Sequence, residues 1–147
     1  MSRSPDQNSS LAVGPHRIAF EYPDIVHIRY SGDVNLEQFI IMDDFIAAVP
    51  SPPPIFLLRD GREGGVASTE VRNYMRQKAH IEHLAAVVSY GTSFHAQTIV
   101  QMTNIAVKRL RKMGPEIAFC ATEEEARALI DEYRRRMQAD VQSDEIG

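Results

Sequence analysis

The residues whose types and spacing could do chemistry are few. Ser68 and Thr69 stand together after the glycine-rich stretch Gly61-Arg62-Glu63-Gly64-Gly65 and before Glu70-Val71. Such a hydroxyl pair could be phosphorylated, could hold a ligand, or could only begin a helix. As an N-cap, the Ser68 hydroxyl satisfies a free amide of the first turn, and Glu70 suits the helix dipole. As a switch, an added phosphoryl group bonds those same amides and reorders the loop, with Glu63 and Glu70 repelling it. The cap is the simpler reading and the switch the sharper one. Gly61, Gly64 and Gly65 invite a phosphate cradle, because backbone amides before a helix bind anions. The sequence lacks both a Gly-Lys-Ser/Thr ending and a Gly-x-Gly-x-x-Gly fingerprint, so neither familiar nucleotide loop is present. The expectation is a flexible loop needing positive φ at some glycines.

Other constellations are weaker still. His80 and His83 lie three apart, close enough on a helix to share a metal, but a third ligand such as His95 would have to arrive through the fold. Ser93 and His95 lack the Gly-x-Ser-x-Gly elbow of a hydrolase. Asp43-Asp44 and Glu123-Glu124-Glu125 are adjacent carboxylates, which do not converge on one point of a helix; they read as a solvated face and a cap. Lys108, Arg109, Arg111 and Lys112 gather positive charge at the end of a helix-like run, where the dipole favours it. The alternative for that run is a docking patch for an acidic partner or an anionic lipid head group.

The whole chain narrows the choice of class. Its 147 residues suit one domain. A net charge of -4, from 16 basic and 20 acidic side chains, argues against nonspecific nucleic-acid binding. The single cysteine, Cys120, cannot form an internal disulfide and has apolar neighbours that suggest a buried thiol. No apolar run has the length of a membrane span and the N-terminus lacks a signal-peptide core, so a cytoplasmic protein is expected. Residues 1–14 and 139–147 are polar and expected to be disordered, leaving 15–138 as the domain.

The elements that must position these residues follow from changes in period. RIAFEY and DIVHIRY form a hairpin around Pro23-Asp24, its first strand antiparallel at a sheet edge. Asn35 and Gln38 have capping-box spacing, and Leu36, Phe39, Met42, Phe45, Ile46 and Val49 recur with helical period, leaving Asp43 and Asp44 elsewhere on the wheel. IFLLRD and LAAVVSY read as strands covered on both faces, with a helix from Ser68 between them. A third, widely apolar helix from Thr92 or Ser93 to Lys112 precedes the strand EIAFC. Thr122 and Glu125 cap a last helix whose buried stripe is Ala126, Leu129, Ile130, Tyr133 and Met137. The order is ββαβαβαβα, an α/β fold with a mixed, mostly parallel sheet flanked by helices.

In this order the SGDVNLEQF entry into the first helix, the FLLRD strand with its Ser-x-Glu helix start, and FCATEEEARALI resemble the SpoIIAA-like branch of the STAS domains, the anti-sigma-factor antagonist and sulphate-transporter domains. The likeness spans about Ile18 to Met137. It implies βα units on a mixed sheet, an architecture shared with the lipid-carrying CRAL-TRIO or SEC14 domains. In regulatory members a serine directly after the strand-ending aspartate is phosphorylated by a partner kinase, which breaks partner binding. Here Asp60 matches the aspartate, but Gly61 follows it and the first hydroxyls arrive at Ser68 and Thr69.

The sequence therefore points to a non-catalytic interaction module without a cofactor or bound metal, binding another protein, kinase-like by resemblance. The expected surface joins Asp60, Gly61, Gly64, Gly65, Ser68 and Thr69 to Arg72 and Arg76 on the following helix. A small-ligand or lipid carrier is the alternative. The apolar third helix also offers a homodimer face.

Overall fold

The computed structural model describes residues 9–50, 54–77, 84–95, 97, 98, 101 and 115–146. Five strands follow the expected periods: β2 (His16–Glu21), β3 (Ile25–Arg29), β5 (Ile55–Asp60), β7 (Leu84–Tyr90) and β8 (Glu116–Cys120). With β1 (Ser9–Val13) they form one sheet in the order β1-β2-β3-β5-β7-β8. β1 to β3 are antiparallel neighbours, and β3, β5, β7 and β8 are parallel. A second, two-stranded parallel sheet pairs β4 (Gly32–Val34) with β6 (Gly64–Ala67).

Three helices complete the named elements: α1 (Leu36–Ala47), α2 (Thr69–Gln77) and α3 (Glu123–Ile146). The Asn35 side chain accepts the Gln38 amide at 2.8 Å and the Gln38 side chain accepts the Asn35 amide at 3.1 Å, which completes the capping box and fixes where α1 begins. Thr122 Oγ1 accepts the Glu125 amide at 3.2 Å, while Glu125 Oε2 accepts from Ala121, one residue earlier than in the ideal box. Positions 94, 95, 97, 98 and 101 are helical, as expected for a third helix; the remainder of that helix lies outside the described residues.

The middle of the sheet is apolar on both faces, which is why β3, β5 and β7 read as nearly unbroken hydrophobic runs. On one face Ile18, Phe20, Val26, Ile28, Ile55 and Leu57 pack with Met42 and Ile46 of α1. On the other, Phe56, Leu58, Val88 and Tyr90 pack with Ala126 and Ile130 of α3, and Leu129, Tyr133 and Met137 extend that stripe as expected.

Several expectations are corrected. Residues 9–13, placed in a disordered terminus, form the true edge strand, so the first strand of the hairpin sits one place in from the edge. SSLAV lacks a strong alternating pattern, and its pairing with β2 is a tertiary effect. The last helix continues to Ile146, beyond the expected boundary at 139. Asp43 is not on a solvated face. It is 3 % exposed, and the Tyr74 hydroxyl of α2 hydrogen-bonds it where the two helices meet. Cys120 is only partly buried.

The glycine stretch is corrected most. Positive φ occurs at Gly14, Gly32 and Gly91, and not at Gly61, Gly64 or Gly65. At Gly65 the reason for glycine is space: a Cβ there would meet Asp33 Oδ1 at 2.0 Å and backbone atoms of Asp33 and Gly32 at 2.8 Å. Gly64 has nothing nearer than 3.5 Å. Gly65→Ala is therefore expected to destabilise by about 1–3 kcal/mol through forced separation of β4 and β6. Gly64→Ala should stay within about 0.5 kcal/mol of the parent. Denaturant unfolding of the two variants checks the contrast; equal midpoints would show that the crossing is not close.

Candidate functional site

The segment from Asp60 to Arg72 is built from its backbone outward. Asp33 Oδ1 accepts the Val66 amide at 2.8 Å, Gly32 donates its amide to the Glu63 carbonyl at 2.9 Å, and Ser68 donates its amide to the Val34 carbonyl at 3.4 Å. These bonds tie β6 to β4 and deliver Ser68 to the start of α2. Ser68 Oγ accepts the Val71 amide at 3.2 Å while its carbonyl accepts the Arg72 amide at 3.1 Å. Ser68 is thus the N-cap of α2.

Thr69 Oγ1 accepts from Arg72 Nη2 at 3.1 Å. Arg72 Nε is enclosed and has no hydrogen-bond partner among the described residues. Asp33, Asn35, Gln38, Ser68, Thr69 and Arg72 line an open groove of about 510 Å³ between the starts of α1 and α2. The structure therefore brings Ser68, Thr69 and Arg72 together. Arg76 lies one turn further along α2, where its guanidinium bonds the Asn73 side chain.

Asp60 and Gly61 belong to a second cluster, at the carboxyl end of β5. Arg62 holds the Asp60 carboxylate through its backbone amide at 3.1 Å, Nε at 3.0 Å and Nη2 at 2.7 Å. These Arg62 bonds keep the Asp60 carboxyl below its ordinary range, although burial pushes the other way. The Gly61 amide donates to the Tyr90 carbonyl at 2.9 Å, and the Arg62 guanidinium lies 5.6 Å from the Tyr90 ring centre. A Cβ on Gly61 would strike Thr92 Oγ1 at 2.2 Å, so this glycine also marks a close approach.

From Tyr90 a polar chain runs under the first turn of α3. The Tyr90 hydroxyl is 2.9 Å from His27 Nε2 and 3.3 Å from Glu123 Oε1. His27 Nδ1 faces Glu21 Oε1 at 3.3 Å, and Arg127 grips Glu21 at 2.8 and 3.0 Å and Glu123 at 2.9 Å. Hydrogen bonds from Arg127 hold both carboxyls below their ordinary range. Burial lowers the pKa of His27 against the field of Glu21, and burial raises that of Tyr90. His27 and Tyr90 are buried at 6 % and 1 % exposed, while the Glu21, Glu123 and Arg127 side chains are 28 %, 33 % and 36 % exposed, and together they work as a clamp on α3.

Sequence reading did not find this clamp. Glu21, His27, Tyr90 and Arg127 are far apart in the chain and belong to no motif, and Glu123 appeared only as a favourable charge at a helix start. Their common signal, polar side chains on one face of neighbouring strands, appears only once the register is known. His80 and His83, and Lys108, Arg109, Arg111 and Lys112, lie outside the described residues. Among the described residues no three metal-ligating side chains cluster, and no helix is long and apolar enough to cross a membrane. The Ser93 carbonyl accepts the Gln97 amide at 2.9 Å, as at a helix start.

Removing the cap by Ser68→Ala should cost about 1 kcal/mol, whereas Ser68→Asp, an equally good cap, should be nearly neutral. Thermal unfolding of both variants checks this, and an unchanged Ser68→Ala protein would exclude the cap. The lowered carboxyls of Glu21 and Glu123 contribute stability that is complete above their ordinary values near about 4 and is lost as pH falls through the folded values. Arg127→Met should therefore cost about 1–2 kcal/mol at neutral pH, allowing for side chains that are partly exposed. The gap from the parent should narrow when unfolding is repeated near pH 3.

No family model matches the sequence, and no curated protein matches it either. Among solved structures, an uncharacterised DUF3478-family protein with a SpoIIAA-like fold from Shewanella loihica PV-4 superimposes with a TM-score of 0.52 and 17 % identity. The match covers 88 % of this chain and 98 % of that one. The chain accordingly has a SpoIIAA-like fold.

Proposed function

We propose that the protein is a non-catalytic interaction module that binds another protein through the Asp60–Val71 segment and the exposed face of α2. One observation carries this reading: a segment whose glycines suggested flexibility is a hydrogen-bonded ribbon that presents exposed polar side chains. Arg62, Glu63, Ser68, Thr69 and Glu70 are all exposed on this fixed backbone. A surface ordered before binding loses little conformational entropy when a partner arrives. The groove beside it is open, a shape suited to a protein loop more than to an enclosed small molecule. The fold supports an anti-sigma-factor-antagonist-like architecture, and function has to be sought in the site.

On this reading Ser68 and Thr69 are both contact residues and acceptors for regulation by a kinase-like partner. Arg72 lines the groove one turn from Ser68 and brings a positive charge to the same rim. A phosphoryl group on Ser68 would displace its cap bond to Val71 and bring negative charge beside Asp33 and Glu70 in the same rim.

Immobilised parent protein and a Glu70→Arg/Arg72→Glu double variant, matched in thermal midpoint, test the surface against extract of the source cells. A kinase-like protein retained by the parent and at least about tenfold less by the variant is expected, since reversal of two rim charges costs on the order of 1.4 kcal/mol or more. Equal retention would remove the surface. Phosphopeptide mapping that finds Ser68 and Thr69 unmodified under every growth condition would remove the switch and leave the binding.

A further inference from the structure

A second surface lies on the other side of the sheet. Among the described residues α3 is the helix packed on this face, and its main contacts are with β5, β7 and β8. It reaches toward β2 and the β2–β3 turn through Arg127 on Glu21 and Arg134 on Asp24. The half of the face made by β1 and β2 with the end of β3 carries no further element among the described residues: Ser10, Ala12, Arg17 and Arg29 are exposed and Ala19 is partly exposed. The register places them side by side, with Arg17 opposite both Ala12 and Arg29, and Ala19 opposite Ser10 and His27.

The charges on this floor are unbalanced. Arg17 and Arg29 are directly opposite each other on paired strands, an arrangement that like charges make unfavourable. Arg17 donates Nη2 to Ser10 Oγ at 2.9 Å, and neither arginine has a carboxylate partner among the described residues. The carboxylates of the same face are already taken: Glu21 is held by Arg127, and Asp60, opposite Arg29 in the register, is held by Arg62. By contrast Arg62, Arg127, Arg134 and Arg136 each have an ion pair. Two guanidiniums without a carboxylate partner among the described residues, on a floor of small side chains in a chain of net charge -4, suit an acid from outside.

We propose that this half-sheet docks an acidic helix of a partner protein, with its carboxylates on Arg17 and Arg29 and small side chains against Ala12 and Ala19. A helix is the occupant favoured because the sheet face offers side chains and no free backbone groups, and α3 already forms a helical layer on the other half. Ala12 and Ala19 let a helix approach closely beside the wall made by Arg127 and Arg134. The surface meets the Asp60–Val71 ribbon where Arg29 lies opposite Asp60, but it does not use Ser68, Thr69 or Arg72.

The test uses an alanine-based peptide of about 16 residues, long enough to be partly helical, with glutamates at i, i+4 spacing. Titrated at low salt into isotope-labelled full-length protein, it should shift the amides of Ala12 and Ala19 and the Nε signals of Arg17 and Arg29. The Arg17→Gln/Arg29→Gln variant should bind at least tenfold more weakly, yet unfold about 1–2 °C higher because the repulsion is gone. Arg72→Glu should bind like the parent, which separates this surface from the ribbon. Scattered shifts, equal binding of a lysine version of the peptide, or undiminished binding by the double variant would overturn the proposal. So would a lower midpoint for that variant, which would make the arginines structural. A response of the patch to phosphatidylserine vesicles or a single-stranded oligonucleotide, with none to the glutamate peptide, would overturn it too.

Discussion

The geometry of the ribbon depends on one buried side chain, His16. It is 1 % exposed, its Nδ1 accepts the Ser31 amide at 3.0 Å and its Nε2 donates to the Asp33 carbonyl at 3.1 Å. With both ring nitrogens engaged, the imidazole fixes the backbone from Ser31 to Asp33 against the start of β2, and the Tyr30 ring meets it edge-on at 5.7 Å. Everything distal follows from that placement. The fixed Asp33 carboxylate receives Val66, the crossing brings Gly65 against the backbone at Gly32 and Asp33, and Val34 receives Ser68. A buried imidazole satisfied by backbone groups gives a directional restraint that apolar packing does not, because hydrogen bonds fall off with angle as well as distance.

The two faces of the sheet are held by different physics. Beneath α1 and α2 the contacts are mainly apolar, with Phe39 against Tyr74 at 5.8 Å and with His16, Asp43 and Ser89 as buried polar residues. Beneath α3 a core of Phe56, Leu58, Val88 and Ile130 is bordered by arginines that reach across to carboxylates: Arg127 to Glu21, Arg134 to Asp24. Apolar burial sets how strongly α3 adheres, and the bidentate pairs set its angle and register on the sheet. That division allows α3 to lie over β5, β7 and β8 and to leave the β1–β2 half of its face without a helix among the described residues.

Much of the fold was legible because local and tertiary preferences agree. Asn35 and Gln38, Thr122 and Glu125, and the runs IFLLRD and LAAVVSY each carry a signal of the same kind as their final environment. The parts that were not legible are those where tertiary context supplies the reason. SSLAV becomes a strand only because β2 offers an edge, and Asp43 is buried only because Tyr74 arrives beside it. Ser68 as a cap could be read from its neighbours; Asp33 as the residue that anchors the ribbon could not, since the bond from Val66 spans 33 positions of sequence. The clamp of Glu21, His27, Tyr90, Glu123 and Arg127 was hidden for the same reason.

The glycines show how the functional reading turns on this distinction. Taken locally, Gly61, Gly64 and Gly65 signal freedom, and a free loop would have to be ordered by its partner at an entropic cost of about 1–2 kcal/mol for each residue fixed. In the fold, Gly61 and Gly65 are small because Thr92 and Asp33 press against them, so the same residues signal constraint. A segment held this way keeps Ser68, Thr69 and Arg72 in fixed relation whether or not anything is bound. Stability alone does not require this spacing, since a shorter turn from Asp60 to α2 would join the same elements with fewer residues to order. The extra residues instead build a rim that stands beside α1 and presents polar side chains outward, and the proposed binding surface rests on that geometry.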